Sequence, residues 1–134
     1  RNRDALDLQE RVELIECDLV EGVPAELAQS FSILVSNPPY IPTSVLEQEV
    51  PAEVKGFEPE LALDGGEDGL DVYRRLLEAA PRMLLPGGML CVELYEGHLD
   101  KAAHLAEQQG VWESVEVKED LTHRPRILVA RLSK

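Results

Sequence analysis

Long apolar runs, aromatic rings and positive charge are all scarce in this chain, and each shortage removes a class of explanation. No segment approaches the ~20 apolar residues that a helix needs to cross a bilayer, and no signal peptide is visible, so no membrane role is expected. Aromatic residues make up only 4%, so Leu, Val, Ile and Ala must fill the core. Thirteen Lys and Arg face 26 Asp and Glu, a net charge of −13. A nucleic-acid backbone is bound by neutralising its phosphates, so direct nucleic-acid binding is not expected, and a protein or small-molecule partner fits better. Cysteine is limited to Cys17 and Cys91, which offer neither metal-ligand spacing nor a disulfide framework. Both lie in apolar, strand-like runs and are expected to be buried free thiols in a reducing, cytoplasmic compartment. His98, His104 and His123 show no ligand spacing, and surface or capping roles are expected. Asp64, Glu67 and Asp68 lack the EF-hand pattern, so a turn is expected there and no metal. No Gly-x-Gly-x-x-Gly loop, internal repeat or low-complexity segment occurs.

What remains is enough for one α/β domain: 134 residues, 44% of them hydrophobic, a size at which a single chain can bury a real core. Arg1 to Gln9 reads as the tail of a helix, and a start at Arg1 without Met is expected to be an artificial or proteolytic boundary. Arg11 to Cys17 reads as a strand ending at Asp18, and Pro24 to Gln29 as a short helix or turn. Phe31 to Ser36 is a near-continuous apolar strand, the pattern of a parallel strand covered on both faces. Thr43 to Gly69 is long, polar and rich in Pro and Gly, and a loop of that length is usually functional. Helical spacing runs from Leu70 to Leu85, with Asp68 or Gly69 as the cap. A turn at Leu85–Gly88 leads to a strand at Met89–Leu94. A second helix, His98–Gln109, stops at Gly110, and two short strands, Ser114–Lys118 and Ile127–Arg131, form a closing antiparallel hairpin. Strands alternating with helices make a layered sheet, whose ligands bind beyond the carboxyl ends of its strands, where Asp18 and Asn37 are placed.

Asn37-Pro38-Pro39-Tyr40 follows directly on the apolar strand and carries the clearest chemistry. Two acceptors aimed at the two N–H bonds of a planar amino group can hold its nitrogen and weaken the delocalisation of its lone pair. The Asn37 side-chain carbonyl and the Pro38 main-chain carbonyl are the natural pair. The prolines fix φ and remove competing donors, and Tyr40 can wall the flat group. No strong base is needed, because the nitrogen becomes acidic only as an alkyl group arrives. Positioning and electrostatic preorganisation then do most of the work. The competing reading is an ordinary strand-ending turn, in which Asn, Pro and Tyr are common. Asp18 could accept an adenine amino group or be a solvated carboxylate. Glu93, in an apolar strand, is either functional or paired with a neighbour.

Asn37-Pro-Pro-Tyr-Ile-Pro42, Phe57-Glu58-Pro59, the run from Ala62 to Asp71, Tyr73-Arg74, Leu85-Pro-Gly-Gly88 and Val92-Glu93 together resemble the HemK/PrmC family of N5-glutamine methyltransferases acting on peptide chain release factors. The resemblance covers essentially the whole chain. The Asn-Pro-Pro-Tyr motif alone is shared with adenine and cytosine amino-methyltransferases, and the Phe57–Asp71 segment narrows the match. The resemblance implies a Rossmann-like class I fold using S-adenosylmethionine. Asn37, Pro38 and Tyr40 would be catalytic, Asn37, Pro38, Pro39 and Tyr40 would bind the glutamine amide of a Gly-Gly-Gln motif, and Asp18, Leu19 and Asn37 would border the cofactor.

The family's glycine-rich loop, the acidic residue that ends its second strand and its N-terminal helical domain have no counterpart here. Residues 1–134 are therefore expected to be the C-terminal part of a single catalytic domain, a truncated fold lacking its first two strands, inactive alone and weak in cofactor binding. Leu94-Tyr95 and His123 also stand where glycines are frequent in the family. The strands Arg11–Cys17 and Phe31–Ser36 are expected either to close up directly or to leave an edge that a second copy fills. The alternatives are a nucleic-acid amino-methyltransferase and a non-catalytic module that keeps the amide-binding loop.

Overall fold

A computed structural model describes residues 1–48 and 59–134. After a short helix α1 (Asn2–Ala5) the chain runs to a 3-10 turn at Ala25–Leu27 and enters strand β1 (Phe31–Ser36). Helix α2 (Thr43–Gln48) follows, then a 3-10 turn at Glu60–Ala62 and helix α3 (Asp71–Met83). Strand β2 (Leu84–Glu93), a 3-10 turn at Glu96–His98, helix α4 (Leu99–Gln108), strand β3 (Trp112–Glu119) and strand β4 (Pro125–Leu132) complete the order. The strands form one sheet ordered β1-β2-β4-β3. β1 runs parallel to β2, and the other two pairings are antiparallel.

Period-two alternation in β2 decides where the core lies. Leu90, Val92 and Leu94 are fully buried, while Met89, Cys91 and Glu93 between them are only half-buried. Leu128 and Ala130 of β4 pair beside them and face the same layer. Against that layer α3 packs Tyr73, Leu76, Leu77 and Ala80, and α4 packs Leu99, Ala102 and Ala106. Each fully buried aliphatic side chain contributes about 1.5–3 kcal/mol, so this one layer holds most of the apolar stabilisation. Tyr73 is fully buried and donates its hydroxyl to the Ala102 carbonyl at 2.8 Å, which ties α3 to α4. Burial pushes its phenol well above the usual range.

Pro81 lies in the last turn of α3 and has no N–H for the carbonyl four residues back, that of Leu77. The Gln109 side-chain amide donates to that carbonyl at 3.2 Å, so the gap left by the proline is filled from the end of α4.

Several expectations change at the N-terminal side. Arg11–Cys17 is not a strand; its residues are exposed and make no ladder. The two apolar segments therefore do not close up, and β1 is an edge strand, paired only with β2 among the described residues. Its outer face is open, with Ile33 48% and Val35 79% exposed, instead of being covered on both sides. Cys17 is exposed and Cys91 half-buried, so neither thiol is a core residue. The cause is shared. A strand needs a hydrogen-bonding neighbour, and intrinsic preference does not supply one.

Elsewhere the differences are local. The span Thr43–Gly69 is not one long loop, because it contains α2 and the 3-10 turn; residues 49–58, with Phe57 and Pro51, lie outside the described residues. Leu85–Gly88 is a bulge within β2: the step from Phe31 to Ile33 on β1 is matched by the longer step from Leu84 to Met89 on β2, with Gly87 at φ +80°. His123 adopts φ +61° in the β3–β4 connection, a conformation that glycine takes at no cost. The closing hairpin forms as expected.

Candidate functional site

β1 delivers Asn37 at the carboxyl edge of the sheet, one residue beyond the pair Ser36–Val92. The prolines stop the strand there, since neither can donate to a ladder. Asn37 is exposed, Pro38 is buried, and Pro39 and Tyr40 are half-buried. The Asn37 side chain makes no hydrogen bond among the described residues. Asn37 through Ile41, with Ala62 and Leu63, line an open hollow of about 150 Å³. Asn37 also lines a second hollow of about 200 Å³ with Val35, Ser36, Cys91, Glu93 and Ile127. Its side chain is thus reachable from two sides.

The segment after the motif is held by pairing with a distant turn. Ile41 and Asp64 form an isolated parallel bridge. Ile41 N–H donates to the Leu63 carbonyl at 3.1 Å, and Gly65 N–H donates to the Ile41 carbonyl at 2.8 Å. Thr43 N–H donates to the Gly66 carbonyl at 3.0 Å. The Asp64 carboxylate accepts from Thr43 Oγ1 at 2.8 Å and from Gly66 N–H at 2.9 Å. Gly65 is required by closeness: a Cβ there would lie 2.8 Å from Tyr40 Cα. Ala62, Leu63 and Asp64 belong to the Thr43–Gly69 span expected to be functional, though none was singled out by itself. They lie inside the Ala62–Asp71 run, and what the run does becomes visible only when the bridge forms.

Asp18 and Leu19 are placed differently. The strand that was to carry Asp18 to the sheet edge is not formed, and its carboxylate accepts from Arg75 Nη2 at 2.7 Å. Leu19 sits at φ +51° and lines a separate hollow with Arg75, Glu78 and Arg82, which shares no wall residue with the hollow at Asn37. A methyl donor carrying an adenosine group would need that side of the site to join the Asn37 side. As they stand, Asp18 and Leu19 do not line one hollow with Asn37, so the expected cofactor neighbours are not brought together. No group of three or more His, Cys, Asp or Glu among the described residues could hold a metal, and no described helix is long and apolar enough to cross a membrane.

A mixed sheet with a parallel strand ending in Asn-Pro-Pro-Tyr, helices over one face and a C-terminal antiparallel hairpin defines a truncated, Rossmann-like class I methyltransferase fold. A solved E. cuniculi Mtq2–Trm112 complex, described as responsible for methylation of the eRF1 translation termination factor, shares this fold. Its TM-score is 0.58 at 22% identity, over 98% of this chain and 68% of that one. No family model matches. By sequence the chain is 39% identical over 132 residues to the release factor glutamine methyltransferase of Clostridium acetobutylicum, covering 96% of this chain and 44% of that protein. To that of Rhodospirillum rubrum it is 42% identical over 131 residues, covering 98% and 38%. Over nearly its whole length the chain is thus similar to release factor glutamine methyltransferases, and it spans less than half the length of these curated relatives.

Proposed function

We propose that this chain is the amide-recognising part of an S-adenosylmethionine-dependent methyltransferase that modifies the side-chain nitrogen of a release-factor glutamine. The single observation that carries this reading is the open hollow lined by Asn37, Pro38, Pro39 and Tyr40. Asn37 presents a side-chain carbonyl with no partner among the described residues, and the prolines before Tyr40 stiffen the main chain beside it. A primary amide entering there would give its two N–H bonds to the Asn37 and Pro38 oxygens, with Tyr40 as a wall. A carboxylate in the same place would set oxygen against oxygen, so glutamine is favoured over glutamate.

The methyl donor implied by the family supplies an electrophilic carbon when bound. This chain's own contribution is to hold and orient the nitrogen. Asp18 and Leu19 remain the proposed adenine neighbours, which would require Asp18 to release Arg75. Residues 1–134 are then the C-terminal part of one catalytic domain, acting in the cytoplasm where release factors work. The open β1 edge supports self-association of copies along that strand.

Titration of the chain with a Gly-Gly-Gln peptide and its Gln→Glu counterpart tests the reading. Saturable binding of the first and not the second is expected, together with weak or no heat on titration with S-adenosylmethionine. Equal binding of the two peptides would sink the amide grip. Preference for DNA over a release factor as methyl acceptor, in the complete enzyme, would move the reading to an amino-methyltransferase of nucleic acids.

A further inference from the structure

The turn that pairs with the gripping segment is itself fastened at one residue. Asp68 accepts two hydrogen bonds from Arg74, Nη2 to Oδ2 at 2.6 Å and Nη1 to Oδ1 at 2.8 Å. Lys101 Nζ donates to Oδ2 at 2.6 Å, and Leu70 N–H donates to Oδ1 at 3.2 Å. Arg74 belongs to α3 and Lys101 to α4, the two helices packed over the buried layer of the sheet. One carboxylate thus joins the turn to both. A two-pronged Arg–carboxylate pair fixes orientation as well as distance. Arg74 and then Lys101 hold the Asp68 carboxyl well below the usual carboxylate range.

The next residue, Gly69, is fully committed. Its φ is +75°, and a Cβ on it would lie 2.4 Å from the Tyr40 carbonyl oxygen and 2.5 Å from His98 Cε1. The turn is therefore wedged between Tyr40 in front and the His98 ring behind. The His98 Nδ1 atom is buried and has no hydrogen-bond partner among the described residues. Its ring meets Tyr95 edge-on, with centroids 5.3 Å apart.

We propose that Asp68 is a positioning residue: clamped by Arg74 and Lys101, it seats Gly69 against the Tyr40 carbonyl and so fixes the main chain that grips the amide. The functional half of this statement rests on the reading given under Proposed function. The mechanical half does not. Asp68 touches neither Asn37 nor the hollow; it acts through Gly69 and through the Ile41–Asp64 bridge. Because the carboxylate is joined to two helices, the turn cannot drift from Tyr40 without breaking a charged contact at each.

Amide hydrogen exchange on the full chain and on Asp68→Asn, Gly69→Ala and Glu67→Gln tests this. Glu67→Gln removes one negative charge from the same turn at an exposed residue outside the clamp. In Asp68→Asn and Gly69→Ala, exchange at Ile41 and Gly65 should accelerate by about tenfold or more, the scale of one lost net hydrogen bond. Leu90 and Val129 in the β2–β4 ladder should keep their protection, and Glu67→Gln should match the parent throughout. Binding of the Gly-Gly-Gln peptide should weaken by about tenfold in Asp68→Asn, the same free-energy scale. Unchanged exchange at Ile41 and Gly65 would overturn the proposal, and so would equal acceleration in the ladder. Equal peptide affinity in Asp68→Asn and the parent would overturn it as well. If the parent chain does not bind the peptide, the functional reading falls while the exchange result still decides the clamp.

Discussion

The segment around Asn37 and the segment around Asp18 differ in how many directions hold them. Asn37–Tyr40 grows out of a paired strand, continues into Ile41, which is bridged to Asp64, and has Gly69 and the ring of His98 behind it. Asp18 follows an exposed, unpaired stretch and is held by one exposed ion pair with Arg75. The first is braced, since Ile41 and Thr43, which follow it closely, are hydrogen-bonded to a turn that is itself anchored. The second depends on a contact that salt and solvent weaken. In a chain this small, order spreads from the buried layer outward and stops where pairing stops.

The largest expected effect marks the boundary between the two regions. Leu90→Ala, at a fully buried site on β2, should cost about 2–5 kcal/mol in urea unfolding. Leu14→Ala, 67% exposed in the unpaired segment, should stay within about 0.5 kcal/mol. Comparable losses would mean that the Asp18 segment belongs to the cooperative unit after all.

A finer comparison sets the two carboxylate contacts against each other. Thr43→Val removes the Oγ1 donor to Asp64 and should cost about 1 kcal/mol, with faster proteolysis near Ile41. Arg75→Ala breaks the contact to Asp18 on an exposed arginine and should leave the unfolding midpoint where it was. A midpoint shift for Arg75→Ala as large as that for Thr43→Val would erase the distinction.

The smallest effect is in pH. The Asp68 pKa is lowered in the folded chain, first by Arg74 and then by Lys101. Its contribution is therefore fully present above the ordinary carboxylate value of about 3.9 and is lost only as pH falls through the lowered value. Burial lowers the pKa of His98. Its contribution is present above about pH 6.5 and declines as acid forces charge onto a half-buried ring. Protection of the Gly65 amide should thus fall in two steps, a slight one below neutrality and a second in strong acid. Asp68→Asn should abolish the second step alone, and its survival in that variant would mean that another carboxylate latches the turn.

The pattern of residues already carried much of this. Alternation in Met89–Leu94 marks the sheet's central strand, the spacing from Leu70 to Met83 marks α3, and Asn-Pro-Pro-Tyr on the end of an apolar run marks the candidate site. Val12–Cys17 and Phe31–Ser36 show why the rest was hidden. Both are apolar and rich in strand formers, yet only the second has a neighbour, β2, to take its hydrogen bonds. Asp64 and Asp68 were read as turn residues, which they are. Their roles depend on Thr43, Arg74 and Lys101, which are 21, 6 and 33 residues away in the chain.

Local chemistry along the chain determined which groups are on offer: an Asn at a strand end, rigid prolines beside it and a glycine turn. Tertiary structure decided which of those groups are held and which hang free. Hydrogen bonds and charged contacts between distant residues form only when the buried layer brings their backbones together, and one-dimensional order cannot record that meeting. It is why Tyr40 has a turn braced behind it while Asp18 is left to Arg75.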